Sequence, residues 1–300
     1  MVKQTISTAE QARQLKKRRQ RIDAIKKILV FIILSLGALL YIAPLLWMVS
    51  TSIKTDIQTF ADPPIWIPSP AVWDNYIKII TSSDWQRWAW NTIYLTAMGL
   101  IGTLLSTSLV AFSFARLQWP GRNFWFVVLL STMMLPYQVT MVPMYLIFTR
   151  LGWVNTFKPL TVPPFFAVGG AFYIFLLRQF FLTIPRELDE AAIIDGCSTF
   201  RIFWEIILPL AKPALATVAI FTFMAHWNAF LSPLIYIRDS KLFTLTLGLA
   251  SLRTNYAVSG IVMWNQLMAA SILIALPCLL LFFFAQRYFI QGVVMSGIKG

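Results

Sequence analysis

Residues 190 to 209 read Glu-Ala-Ala, three residues, Gly, nine residues and Ile-Ile-Leu-Pro, a pattern suited to contact with another backbone rather than to bond-making. Glu187, Asp189 and Glu190 stand near the expected amino end of a helix, where the dipole favours negative charge by roughly 0.3 to 1 kcal/mol each. Thr183 and Pro185 can begin that helix, the first as a cap and the second within the first turn. Leu188, Ala191, Ala192 and Asp195 follow i, i+3, i+4, i+7 spacing, so one face is expected to be low in relief and open to a partner. Gly196 can stop the helix in the left-handed conformation, and Ser198 can cap a second helix. In that second helix Phe200, Phe203, Trp204 and Ile207 form an apolar stripe expected to pack on the chain's own helices. Spacing alone is equally compatible with a solvated loop of two capped helices.

A second set of polar residues lies inside apolar segments. Tyr137 and Gln138 follow Pro136, where an interrupted helix would expose backbone groups. His226, Trp227 and Asn228 lie similarly deep in another segment. Polar groups beside aromatic faces suit a solute with polar edges and an apolar face. They also suit helix packing through interhelical hydrogen bonds, worth about 0.6 kcal/mol each. His226, the only histidine, is expected to be packed or hydrogen-bonded rather than to relay protons. No catalytic or metal-binding residue is expected. The chain contains no G-x-x-x-x-G-K-[ST] sequence to cradle phosphates, so it should bind no cofactor itself.

The elements that must position these residues follow from composition. With 58% hydrophobic and 12% charged residues, the chain is not an ordinary soluble domain. A helix needs about 20 mainly apolar residues to cross a hydrocarbon core, and six segments meet that length: 28–50, 88–114, 124–148, 161–180, 210–236 and 263–286. None holds Asp or Glu, whereas proton-coupled carriers commonly use intramembrane carboxylates. Residues 1–27 carry nine Lys/Arg against Glu10 and Asp23, a basic tail suited to anionic lipid headgroups. The segments 51–87, 149–160 and 237–262 carry only three, two and three, which places both ends of the chain in the cytoplasm. The net charge of +13 therefore belongs largely to a membrane-adjacent tail, and without an aromatic platform nucleic acid is not an expected partner. Cys197 and Cys278 fall at different depths and imply no disulfide.

The expected fold is an all-α integral membrane protein with six transmembrane helices, cytoplasmic N- and C-termini and a cytoplasmic helix-turn-helix loop over 181–209. It divides into a tail at 1–27, a membrane domain at 28–286 and a C-terminal tail at 287–300. The segment IPRELDEAAIIDGCSTFRIFWEIILPL resembles the inner loop of binding-protein-dependent ABC importer permeases, and in particular the carbohydrate-uptake branch related to the maltose permease subunits. FSFARLQWPGR, MLPYQVTMVPMYLIFTRLGWVNT, the Trp227-Asn228 pair and QRYFIQG extend the likeness over nearly the whole chain. Ala229 stands where family members often carry an acidic residue.

That resemblance implies a transport subunit, not an enzyme, working by alternating access. Its expected partners are a second homologous permease, two ABC ATPase subunits that bind ATP and Mg, and an extracellular or periplasmic sugar-binding protein. It also implies that the loop docks on the ATPase. Glu190 would anchor through charge-assisted hydrogen bonds, Ala191 and Ala192 would permit close contact, and Gly196 would make the turn. Asp189, Asp195 and Arg201 fit docking and a purely surface role equally. Tyr137, Gln138, His226, Trp227 and Asn228 are the candidate substrate pathway. The competing expectation is an ATP-independent carrier or channel.

Overall fold

The protein is described by a computed structural model over residues 2–258 and 263–297, with side chains for 22–254 and 263–286. Among the described residues the regular structure is helical, with no strand. The chain falls into two units that meet in sequence between Trp73 and Asp74.

In the first unit, α1 (Val2–Ser52) runs unbroken through the basic tail and the first apolar segment. Its 51 residues span about 75 Å at 1.5 Å per residue. The expected boundary near residue 27 is thus a change of composition and not of backbone. From Ile22 to Leu46 large apolar residues are exposed on every side of the helix, the pattern of a helix whose solvent is lipid. A short α2 (Asp56–Thr59) follows, closed by a capping box in which Thr55 and Gln58 satisfy each other's backbone N–H groups.

The second unit is organised around α4. After α3 (Asp74–Thr81), α4 (Ser83–Arg116) starts five residues ahead of the expected span, because Ser82 accepts a hydrogen bond from the Trp85 N–H and Asp84 favours the first turn. Its buried side is mostly small: Gly99, Gly102, Thr103, Ser106, Thr107, Ala111 and Ala115. Small residues let neighbouring helices approach closely within a membrane. The Thr107 hydroxyl donates within the helix, to the Thr103 carbonyl at 2.6 Å, and that of Ser106 across to the Pro164 carbonyl at 2.7 Å.

The remaining expected spans are bent or interrupted. α5 (Arg122–Thr132) and α6 (Tyr137–Arg150) diverge by 98°, because Pro136 cannot donate within a continuing helix. α7 (Lys158–Thr161) passes through a 3-10 turn at Pro163–Phe166 and left-handed Ala167 before α8 (Ala171–Thr183). α9 (Glu187–Ile194) and α10 (Thr199–Ile202) follow, then a π turn over Phe203–Ile207 and α11 (Leu208–Leu210). At Ala211 the chain bends by 80° into α12 (Lys212–Trp227). The expected segment 210–236 therefore begins at the bend and breaks at 228–230 before α13 (Leu231–Tyr236). α14 (Leu245–Val258) and α15 (Trp264–Gly297) complete the fold.

Among the described residues four helical passages are long and apolar enough to cross a membrane, and up to six if each bent pair is one crossing. Packing joins α4 to α8 and α12, and α15 to α3, α12 and α14. One apolar core gathers Phe112, Leu177, Phe181, Phe203 and Ile207. A second gathers Trp85, Trp88, Trp227 and Ile274.

Candidate functional site

The expected helix, turn and helix over 181–209 forms, with its start displaced. Thr183 still belongs to α8, its hydroxyl turned back to the Phe180 carbonyl, and Pro185 lies in the connection. α9 instead starts after Arg186, with no side-chain cap. The acidic trio Glu187, Asp189 and Glu190 occupies its first turn, where it offsets the positive end of the dipole.

The end of α9 is built as the spacing predicts. Gly196 adopts φ +78; its N–H reaches the Ile193 carbonyl at 3.0 Å and the Cys197 N–H reaches the Ala192 carbonyl at 2.9 Å. This is a Schellman motif, which satisfies the last carbonyls of the helix. Space around Gly196 is open, so the backbone angle alone selects glycine there. Ser198 then caps α10 by accepting from the Arg201 N–H at 3.3 Å.

The faces of this elbow differ from those expected. Ala192 is not on an open face but 6% exposed, inside the core with Phe112 and Phe203. Asp189 turns inward beside it, its carboxylate 3.4 Å from the Arg116 guanidinium at the end of α4. Burial pushes the Asp189 carboxyl above its ordinary range, opposed by Arg116 and Arg186. The apolar stripe is split as well: Phe203 and Ile207 are buried, whereas Phe200 and Trp204 are exposed. Phe203 and Ile207, four apart, share the inner half of the stripe, and Phe200 and Trp204, also four apart, its outer half; Phe203–Ile207 itself forms a π turn.

What faces outward is Leu188, Glu190, Ala191, Ile193, Ile194, Asp195 and Gly196, continued by Phe200 and Trp204. Ile194 is 85% exposed. The side chains of Glu190 and Asp195 make no hydrogen bond or ion pair among the described residues. Arg201 is already engaged, its Nε donating to Glu205 at 2.8 Å, and that contact raises its pKa.

The polar residues within the spans divide differently. Tyr137 and Gln138 are exposed just past the 98° bend, and the Tyr137 hydroxyl lies 3.3 Å from that of Ser232 on α13. His226 is wedged against α4, where a Cβ on Gly99 would overlap its ring, and its Nδ1 lies 3.0 Å from the Thr222 carbonyl. Trp227 is a core residue, which corrects its expected place along the pathway. It stacks on Phe223 at 5.4 Å and donates its indole N–H to the Ile274 carbonyl at 2.9 Å. Asn228 is exposed at the break but donates to the Met224 carbonyl at 2.9 Å.

Sequence reasoning missed two groups. One is Arg116, a lone cation closing an apolar span, whose position could have signalled an anchoring role. The other is an aromatic cluster of Tyr145, Phe148 and Tyr236, where Arg238 donates to the Tyr145 hydroxyl at 2.7 Å; its members are too far apart in sequence to show a pattern.

Residues 107–295 match the family described as the binding-protein-dependent transport system inner membrane component. The arabinooligosaccharides transport system permease protein AraQ of Halalkalibacterium halodurans is 35% identical over 267 residues, 88% of this chain and 93% of that protein. The sn-glycerol-3-phosphate transport system permease protein UgpE of Yersinia enterocolitica is 32% identical over 271 residues, 88% of this chain and 95% of that one. In fold the chain is similar to a chain of a bacterial ABC transporter involved in the import of the acidic polysaccharide alginate, with a TM-score of 0.81 at 23% identity, over 90% of this chain and 98% of that one.

Proposed function

The chain belongs to the family of binding-protein-dependent transport system inner membrane components, and from that membership we propose that it is a permease subunit of an ATP-binding-cassette importer for sugars or oligosaccharides. AraQ and UgpE carry names of carbohydrate and polyol-phosphate uptake, which sets the substrate class. The chain crosses the membrane six times, with both ends and the elbow in the cytoplasm; the basic tail supports that orientation. A second permease, two ATPase subunits carrying ATP and Mg, and an external binding protein complete the transporter.

One observation carries the reading: the elbow presents a face that its own chain leaves uncovered. Leu188, Ile193, Ile194, Phe200 and Trp204 are all exposed there around the unpaired carboxylates of Glu190 and Asp195. Apolar area rimmed by charge marks a protein-binding surface. Glu190 accepts charge-assisted hydrogen bonds from a cationic groove, and Ala191 lets that groove approach. ATP-driven closure of the ATPase pair then moves the elbow and switches the spans between outward- and inward-facing states. The contacts must differ between the two states, because equal affinity shifts no equilibrium. Exposed Tyr137 and Gln138 line the substrate route.

The test is reconstitution of this chain in liposomes with and without its partners, with a crosslinker at position 190 or 196. ATP-dependent sugar uptake only in the complete assembly, with capture of the ATPase, is the expected result. Flux through this chain alone, or no capture in an assembly competent for uptake, overturns the proposal.

A further inference from the structure

One charged side chain joins the elbow to the ends of two helices. Arg116, the last residue of α4, has a side chain only 3% exposed and faces Asp189 across 3.4 Å, itself 18% exposed. Its Nη2 donates at the same time to the carbonyl of Ile184 at 2.8 Å, at the point where the chain leaves α8. One guanidinium therefore holds the end of α4, the end of α8 and the first turn of α9. α4 and α8 are themselves joined nearby, Arg178 donating to the Phe114 carbonyl at 3.2 Å, so Arg116 fastens α9 to an already rigid pair.

The ion pair is poorly built for stability. Among the described residues the Arg116 Nε and the Asp189 Oδ1 are buried with no partner, and the one charged contact is long for a charge-assisted hydrogen bond. Two desolvated charges with incomplete partners recover little of what their burial costs, and the best-attested use of such a pair is to fix registry. We propose that Arg116 and Asp189 are positioning residues that form a registry lock, making α9 move as one body with the inner ends of α4 and α8. Without the lock the elbow still has Ala192 in the core, but can rock about that contact, and displacement by the ATPase is absorbed at the elbow before it reaches the spans. The lock rests on the reading of the elbow as the ATPase contact.

The experiment uses the complete reconstituted transporter and measures sugar uptake, ATP hydrolysis and crosslinking from position 191 to the ATPase. In Asp189→Asn and Arg116→Gln, capture is expected to persist while sugar moved per ATP falls about tenfold, within the usual span of allosteric couplings. Arg116→Lys, which keeps charge but cannot reach both Ile184 and Asp189, is expected to lie between. The exchange Arg116→Asp with Asp189→Arg is expected to regain part of the coupling. Wild-type coupling in Asp189→Asn overturns the lock, leaving Ala192 packing as sufficient. If the single variants fail to accumulate in the membrane, the exchange decides: restored abundance with restored coupling supports the lock, and restored abundance alone overturns it. No capture even in the wild type removes the docking reading, and the lock with it.

Discussion

The elbow and the polar residues inside the spans spend their hydrogen-bonding capacity in opposite ways. At the elbow Glu190 and Asp195 are left open and the apolar residues around them uncovered. In the fifth apolar segment His226, Trp227 and Asn228 each contact a carbonyl of their own chain. A group whose partners are already inside the protein serves the fold, because lipid offers it no alternative. A group left open in water is free for a partner at little cost. Residue type is thus a poor guide to role until the destination of each polar atom is known: of the five intramembrane candidates Tyr137, Gln138 and Asn228 are exposed, and Asn228 has already given its amide to the Met224 carbonyl.

Substitutions can break this contrast, beginning with the largest effect. Glu190→Ala is expected to lower sugar uptake per ATP at least about tenfold, the scale of a coupling interaction, while thermal stability moves by no more than about 0.5 kcal/mol, as for an exposed site. Uptake and ATPase assays on one preparation, with a melting curve, check both halves. Gly99→Ala should have the reverse profile, because a methyl there overlaps the His226 ring: a loss of about 1 to 3 kcal/mol, partly regained with His226→Ala, read from the thermal midpoint.

Trp227→Phe removes the donor to Ile274 and should cost about 1 kcal/mol of stability with the KM for uptake unchanged. Gln138→Ala should instead raise KM about two- to tenfold, the worth of one hydrogen bond, with stability unchanged. A KM effect from Trp227→Phe and none from Gln138→Ala would reverse the assignment of the two sites.

The smallest effect concerns pH. Burial holds the Asp189 carboxyl above its ordinary range against Arg116 and Arg186, with Glu190 adding to the rise. The folded chain therefore binds this proton more tightly than the unfolded chain does. The contribution of Asp189 to stability is greatest below its unfolded pKa and declines as pH rises towards the folded one. Acidification into that window should weaken the contact with Arg116 without unfolding the protein, seen as a fall in uptake per ATP that Asp189→Asn, already neutral, does not show.

Local chemistry was legible in the sequence; the identity of distant neighbours was not. The positive φ of Gly196, the Ser198 cap and the break after Pro136 each depend on residues within a few positions, and each formed as read. Ala192 could not be placed, because a helical period says that one face is apolar and low without saying which neighbour will cover it. Asp189 was equally undecided, since its partner Arg116 lies 73 positions away. The split of Phe200 and Trp204 from Phe203 and Ile207 divides one apolar stripe lengthwise, and the helical period does not say how much of a stripe its neighbours will cover. Apolar passages stand where spans were expected, but the size of the bend at Pro136 and the turn of 80° at Ala211 are not given by the residues at the break.

A rod bent by 80° at Ala211 is a crank. Force applied along Thr199–Leu210 meets Lys212–Trp227 nearly side-on, so a pull delivered there reaches α12 as torque and not as thrust along its axis. Ala211 is wholly enclosed, and a pivot in a close-packed interior cannot slide without opening a void. A turn of such a crank is a change of tilt, which a spin-label ruler between α12 and α4 would read as narrowing at one end of the pair and widening at the other.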